Sequence, residues 1–159
     1  MSVHDWLLFL HVLAAFILMS ALVLFTFLIA YLWRTDVPSD IARVSGLSRV
    51  GTALVGVGAV GALIFGIVLA FEAESYAIWD PWIVAALILW AVTAELGRRT
   101  GLVYDAAGAK ARELVAAGHD APNPELGAMF RSSRGLTLHF ATFGVVVLIL
   151  LDMIFKPGA

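Results

Sequence analysis

Residues 6–33 read WLLFLHVLAAFILMSALVLFTFLIAYLW, with no Asp, Glu, Lys or Arg between Asp5 and Arg34. A membrane-spanning helix needs ~20 mostly apolar residues to cross a hydrocarbon core of ~30 Å. At ~1.5 Å per residue this stretch reaches ~42 Å, so the helix must tilt or protrude. A cleaved leader is not expected. Nothing basic precedes the run, and it is about twice the usual ~7–15 residues of a leader's apolar region.

Working outward, three more runs qualify as spans: 50–71, between Arg49 and Glu72; 81–97; and 136–155, between Arg134 and Lys156. None shows the period-2 alternation of a barrel strand. Helices and closed barrels are the only structures that satisfy their backbone in lipid. The expected fold is therefore all-α, a four-helix transmembrane bundle. The chain 1–159 reads as one integral membrane domain with a long loop between the third and fourth spans.

Composition agrees. The chain is 62% apolar and 14% charged, with a mean hydropathy of +0.96. Soluble domains run near ~45–50% apolar and ~25% charged, so a soluble or disordered chain is excluded. The net charge is −2, and the basic residues make no exposed stripe, which argues against nucleic-acid binding. Cysteine is absent. Disulfides, thiolate catalysis and cysteine-based zinc or iron–sulfur sites are excluded with it.

Basic residues set the orientation. Arg34, Arg43 and Arg49 flank or occupy the first loop, and Arg98, Arg99, Lys110, Arg112, Arg131 and Arg134 the third. Lys156 alone lies at the other end, with Asp5, Glu72, Glu74, Asp80 and Asp152. A cytoplasmic (inner) membrane protein with both long loops inside and both termini outside is expected. Trp6, Tyr76, Trp79 and Trp82 would form an outer aromatic belt, with Tyr31 and Trp33 at the inner interface.

Local signals refine the boundaries. Asp80-Pro81 reads as an N-cap and first helical residue. Asn123-Pro124 reads the same way and predicts a short helix leading into the fourth span, with an interruption near Gly135. The Ala-rich stretch from Thr100 to Ala117 extends the third helix as a polar segment. In the second span Gly51, Gly58, Ala62 and Gly66 share one face. Small residues let helix backbones approach closely in lipid, so this face is expected to pack on a neighbour, within the chain or in a homo-oligomer.

Ionisable groups inside spans are costly and mark functional positions. Four occur: His11, Glu95, His139 and Asp152. By residue count His11 lies ~8 Å below the outer surface and His139 ~5 Å from the inner one. They cannot bind one haem or one metal together. Glu95 matches His139 in depth, and Asp152 matches His11, which suggests one carboxylate–imidazole pair near each surface. Three readings fit His11. It is a packing histidine bonded to a backbone carbonyl or to Asp152, an axial haem or other metal ligand, or a proton-relay group. Ala14 and Ala15, one turn on, leave room for a flat ring. His139 is satisfied by Glu95 or by a serine hydroxyl. Glu95 has Arg98 and Arg99 at i+3 and i+4 as alternative partners.

The opening Trp6-Leu-Leu-Phe-Leu-His11-Val resembles the W-x-x-x-L-H-V/I start of several small bacterial membrane families. They are the membrane-type protoporphyrinogen oxidase, which binds haem, the copper-resistance D membrane domain, and a group of four-span integral membrane proteins of unassigned function. The last is similar in overall pattern. The resemblance implies His11 as a haem b ligand; Asp152, at the same depth, would then hold its second N–H, as carboxylates do for ligating histidines. The oxidase family's third-helix lysine has no counterpart in Trp82-Ile-Val-Ala-Ala-Leu-Ile-Leu-Trp90, so oxidase activity is not implied. Copper is not supported either, because the methionines form no cluster and Cu(I) favours sulfur. No catalytic set is legible, since Ser20 has no base at its depth. A haem-associated or redox-linked protein using His11 is the first expectation. A non-catalytic accessory or scaffold subunit of a membrane complex is the second. A transporter is least favoured, because no broken helix or midplane charge appears.

Overall fold

The computed structural model describes residues 2–72 and 76–158; Glu74, counted above among the outer acidic residues, falls outside them. Five helices follow in order: α1 Val3–Leu32, α2 Pro38–Glu72, α3 Pro81–Ala116, α4 Pro124–Phe130 and α5 Ser133–Phe155. The fold is the all-helical four-span bundle expected, with 85% helix and four helical stretches long and apolar enough to cross a membrane.

Capping residues explain the helix ends. Ser2 Oγ accepts from Asp5 N at 3.2 Å while Ser2 N donates to Asp5 Oδ2 at 2.7 Å. This reciprocal box starts α1 three residues before Trp6. Helix α2 begins at Pro38, well ahead of its apolar span, and Asp120 from the α3–α4 loop caps it by accepting from Ser39 N at 2.8 Å. Helix α3 ends in a Schellman motif. Gly118 adopts φ +76°, and His119 N donates to Leu114 O at 2.9 Å. Asn123 caps α4 by accepting from Leu126 N at 3.0 Å. The break before α5 falls at Arg131-Ser132, ahead of Gly135. Gly135 is instead buried under the Tyr104 ring, which a Cβ there would meet at 3.0 Å.

Two other expectations are corrected. Asp80 precedes α3 as expected, but its side chain does not cap that helix. It turns back to accept from Ala77 N at 3.1 Å. Trp82 is buried, at 7% exposure, and packs edge-on against Tyr76 instead of facing out in a belt.

Helix α3 carries 36 residues, ~54 Å of helix against a ~30 Å core. Its second half, the start of α2 and α4 therefore project beyond the spans. Together with the end of α1 they share a small core of Leu32, Ile41, Ala107, Ala111, Leu126 and Phe130. Asn123 N donates to Asp36 O at 2.8 Å and ties the two long loops together.

Within the spans α1 packs most closely on α2, and α3 on α5. The α1–α2 seam is built by glycine. A Cβ on Gly58 would stand 2.6 Å from Leu18 N, one on Gly61 3.0 Å from Ala14 Cβ, and one on Gly51 3.0 Å from the Phe25 ring. These pairs run antiparallel. Trp90 Nε1 joins α3 to α2 by donating to Ala59 O at 3.2 Å. Leu18 and Leu22 of α1 meet Val146 of α5. Elsewhere the exposed surface is apolar, including Phe16, Phe27, Val57, Ile64, Phe71 and Ile154. In water such a surface would drive aggregation; in a bilayer it is the solvated face.

Candidate functional site

His11 sits on the α1–α2 seam. Its Nδ1 lies 2.9 Å from Ala62 O. A carbonyl only accepts, so Nδ1 carries the proton, and in the neutral ring Nε2 holds a lone pair. Nε2 has no hydrogen-bond partner among the described residues. The ring lies against Gly66, where a Cβ would come within 2.9 Å of Cε1 and 3.1 Å of Nδ1. Gly66 and the Ala62 carbonyl, one turn apart on α2, thus fix the ring's position and its tautomer. Ala14, one turn beyond His11, is buried against Gly61 and offers no open face.

The second buried imidazole is bound differently. His139 is 3% exposed, and its Nε2 lies 2.8 Å from Thr26 Oγ1. The Thr26 hydroxyl already donates its one proton to Leu22 O at 3.0 Å. It must therefore accept from His139, whose Nε2 is the protonated nitrogen. This bond links α5 to α1 across a seam that is otherwise thinly packed.

Neither expected carboxylate–imidazole pair forms. Glu95 is claimed by its own helix: Arg98 Nε reaches Oε2 at 2.8 Å, and Arg99 Nε reaches Oε1 at 2.7 Å. The i+3 and i+4 spacing decides this, because both guanidinium groups lie on the exposed Glu95 face. Asp152 does not reach His11. Helix α5 docks on α3, and Asp152 lines a groove on that side. Its Oδ2 is buried without a hydrogen-bond partner among the described residues.

Thr26 was not singled out from the sequence. A lone threonine in an apolar span at the depth of His139 was the available signal. Two further tie points lie at the terminal end of the bundle. His4 Nδ1 meets Glu72 Oε2 at 2.8 Å, joining the start of α1 to the end of α2. Lys156 Nζ donates to Tyr76 OH at 2.8 Å, and the ammonium sits 4.5 Å from the Tyr76 ring centre and 5.3 Å from that of Trp82. Among the described residues no group of three or more His, Asp or Glu side chains is placed to hold a metal ion.

A bundle with an apolar exterior and single polar ties between its helices defines a multi-pass helical membrane protein. The chain belongs to the family described as predicted integral membrane protein (DUF2269), whose model matches residues 5–157. No curated protein and no solved structure matches it. The comparisons give no support to similarity with the membrane-type protoporphyrinogen oxidase or the copper-resistance D domain.

Proposed function

We propose that the protein is a haem b-associated, redox-linked membrane protein in which His11 Nε2 is the iron ligand. One observation carries this reading. His11 donates through Nδ1 to the Ala62 carbonyl and keeps an unpartnered lone pair on Nε2. Ligating histidines characteristically donate their other N–H to a carbonyl or carboxylate, which sets the tautomer and raises the ring's basicity. In this protein Ala62 O takes the place first assigned to Asp152. Gly66 leaves room for the ring, which a side chain there would displace, and the bond to Ala62 O orients it. A bound haem would supply one-electron chemistry. The chain's contribution is to hold the imidazole in one tautomer within an apolar seam. His139 also keeps one free ring nitrogen, Nδ1, but the side chain is enclosed in the bundle at 3% exposure, where a porphyrin cannot approach it.

The absorption spectrum tests this. Protein produced with ample haem is expected to show a Soret band that His11→Ala abolishes and His139→Ala leaves in place. A colourless wild type, or a band that survives His11→Ala, would refute haem ligation by His11.

A second reading, an accessory subunit of a larger membrane complex, is favoured by α2. Its apolar span is the least buried of the four. Gly56 has open space where a Cβ would project, beside the exposed Val57 and Val60. A bulky Gly56→Phe substitution would disrupt such an assembly without unfolding the chain, read as a loss of the larger species on size exclusion.

The proposed setting is a cytoplasmic membrane with both termini outside, since all but one of the ten basic residues lie at the long-loop end.

A further inference from the structure

The groove beside Asp152 runs between α3 and α5 at the terminal end of the bundle. It is walled by Leu89, Leu148, Leu151, Phe155 and Pro157. Leu148, Leu151 and Phe155 are exposed, so in a bilayer the groove opens to lipid. Its one ionisable group is Asp152, whose Oδ2 is buried with no donor among the described residues. A buried carboxylate oxygen without a hydrogen bond is costly, and native structures rarely leave one so. Lys156, one turn on, does not satisfy it. That ammonium is turned to the Tyr76 hydroxyl and the Tyr76 and Trp82 rings.

We propose that this groove binds a phospholipid with a primary ammonium headgroup, of the ethanolamine class. The acyl chain lies along the leucines, and the ammonium donates to Asp152 Oδ1, the carboxylate oxygen that the protein does not enclose. Charge complementarity selects this occupant: an ammonium cation brings the opposite charge and an N–H donor to the one carboxylate of the groove, which no described residue partners. The site's depth agrees, since Asp152 stands four residues from Lys156, at the helix end where headgroups lie. A choline headgroup carries the same charge but bears three methyl groups in place of the N–H hydrogens, so it is bulkier and has nothing to donate. The two lipids share charge and acyl contacts, and a preference that depends on Asp152 separates the hydrogen bond from headgroup bulk.

Native mass spectrometry of the full chain in detergent provides the test, with phosphatidylethanolamine and phosphatidylcholine of identical acyl chains as probes. Wild type is expected to favour the ethanolamine lipid roughly ten-fold, the ratio that ~1.4 kcal/mol supplies. Asp152→Leu, which keeps the groove apolar, should bind both lipids equally. Asp152→Asn is a milder variant that retains an uncharged acceptor. Its preference should fall to roughly three-fold, because a charge-assisted bond is about twice as strong as a neutral one. Circular dichroism checks that each variant keeps its helix. Equal binding of the two lipids by wild type, or an undiminished preference in either variant, would overturn the proposal. Neither readout involves haem or His11, so the outcome is independent of the function proposed above.

Discussion

Gly58 and Leu18 are in backbone contact: a Cβ built on Gly58 would stand 2.6 Å from Leu18 N and 2.9 Å from Ala14 O. No flexible side chain can yield there, so even one added methyl must push α1 and α2 apart. Gly58→Ala is expected to lower stability in detergent by ~1–3 kcal/mol, in the range of overpacking substitutions. Gly56→Ala, two residues earlier with open space around it, should be neutral or slightly stabilising through helix propensity. Thermal unfolding followed by circular dichroism compares the two. Equal midpoints would show that the seam is not held by close backbone approach.

The Thr26–His139 bond makes a second prediction. Thr26→Val keeps the shape of the side chain and removes the acceptor, leaving a buried N–H unpaired. Such a group costs ~1–3 kcal/mol. The variant should unfold at a lower temperature, and pairing it with His139→Phe should recover part of the loss, because neither polar partner then remains. A double variant as destabilised as the sum of the singles would mean the two side chains are not coupled.

Much of this architecture is legible in the sequence, and the failures share a cause. Apolar runs and the glycine spacing of α2 report directly on lipid contact and on close packing, so the spans and the Gly58–Gly66 face emerge without coordinates. Asn123-Pro124 carries its own local chemistry and caps α4 as expected. Depth along a helix can be counted from residue number, but the direction a side chain takes around the bundle axis cannot. Hence Glu95 and His139, or His11 and Asp152, share a level without meeting. The early start of α2 was hidden because its first turns pack in a small core outside the spans, around Ile41. Their cap comes from Asp120, far away in the sequence.

Topology gives a third prediction. A reporter that works only outside the cytoplasm, fused after residue 159, should be active, and the same reporter inserted in the 118–122 loop should be silent. The reverse pattern would overturn the orientation inferred from Arg98, Arg99, Arg131 and Arg134.

In the proposed haem site His11 presents Nε2 to the iron while the Ala62 carbonyl holds its other nitrogen. Chemical rescue tests it most directly. His11→Gly removes the ring and leaves a cavity beside Gly66 that free imidazole can enter. The Soret band is expected to be lost in His11→Gly and to return when millimolar imidazole is added, with no such response in His139→Gly. A wild type that binds no haem, or a His11→Gly protein that keeps its band without imidazole, would contradict it.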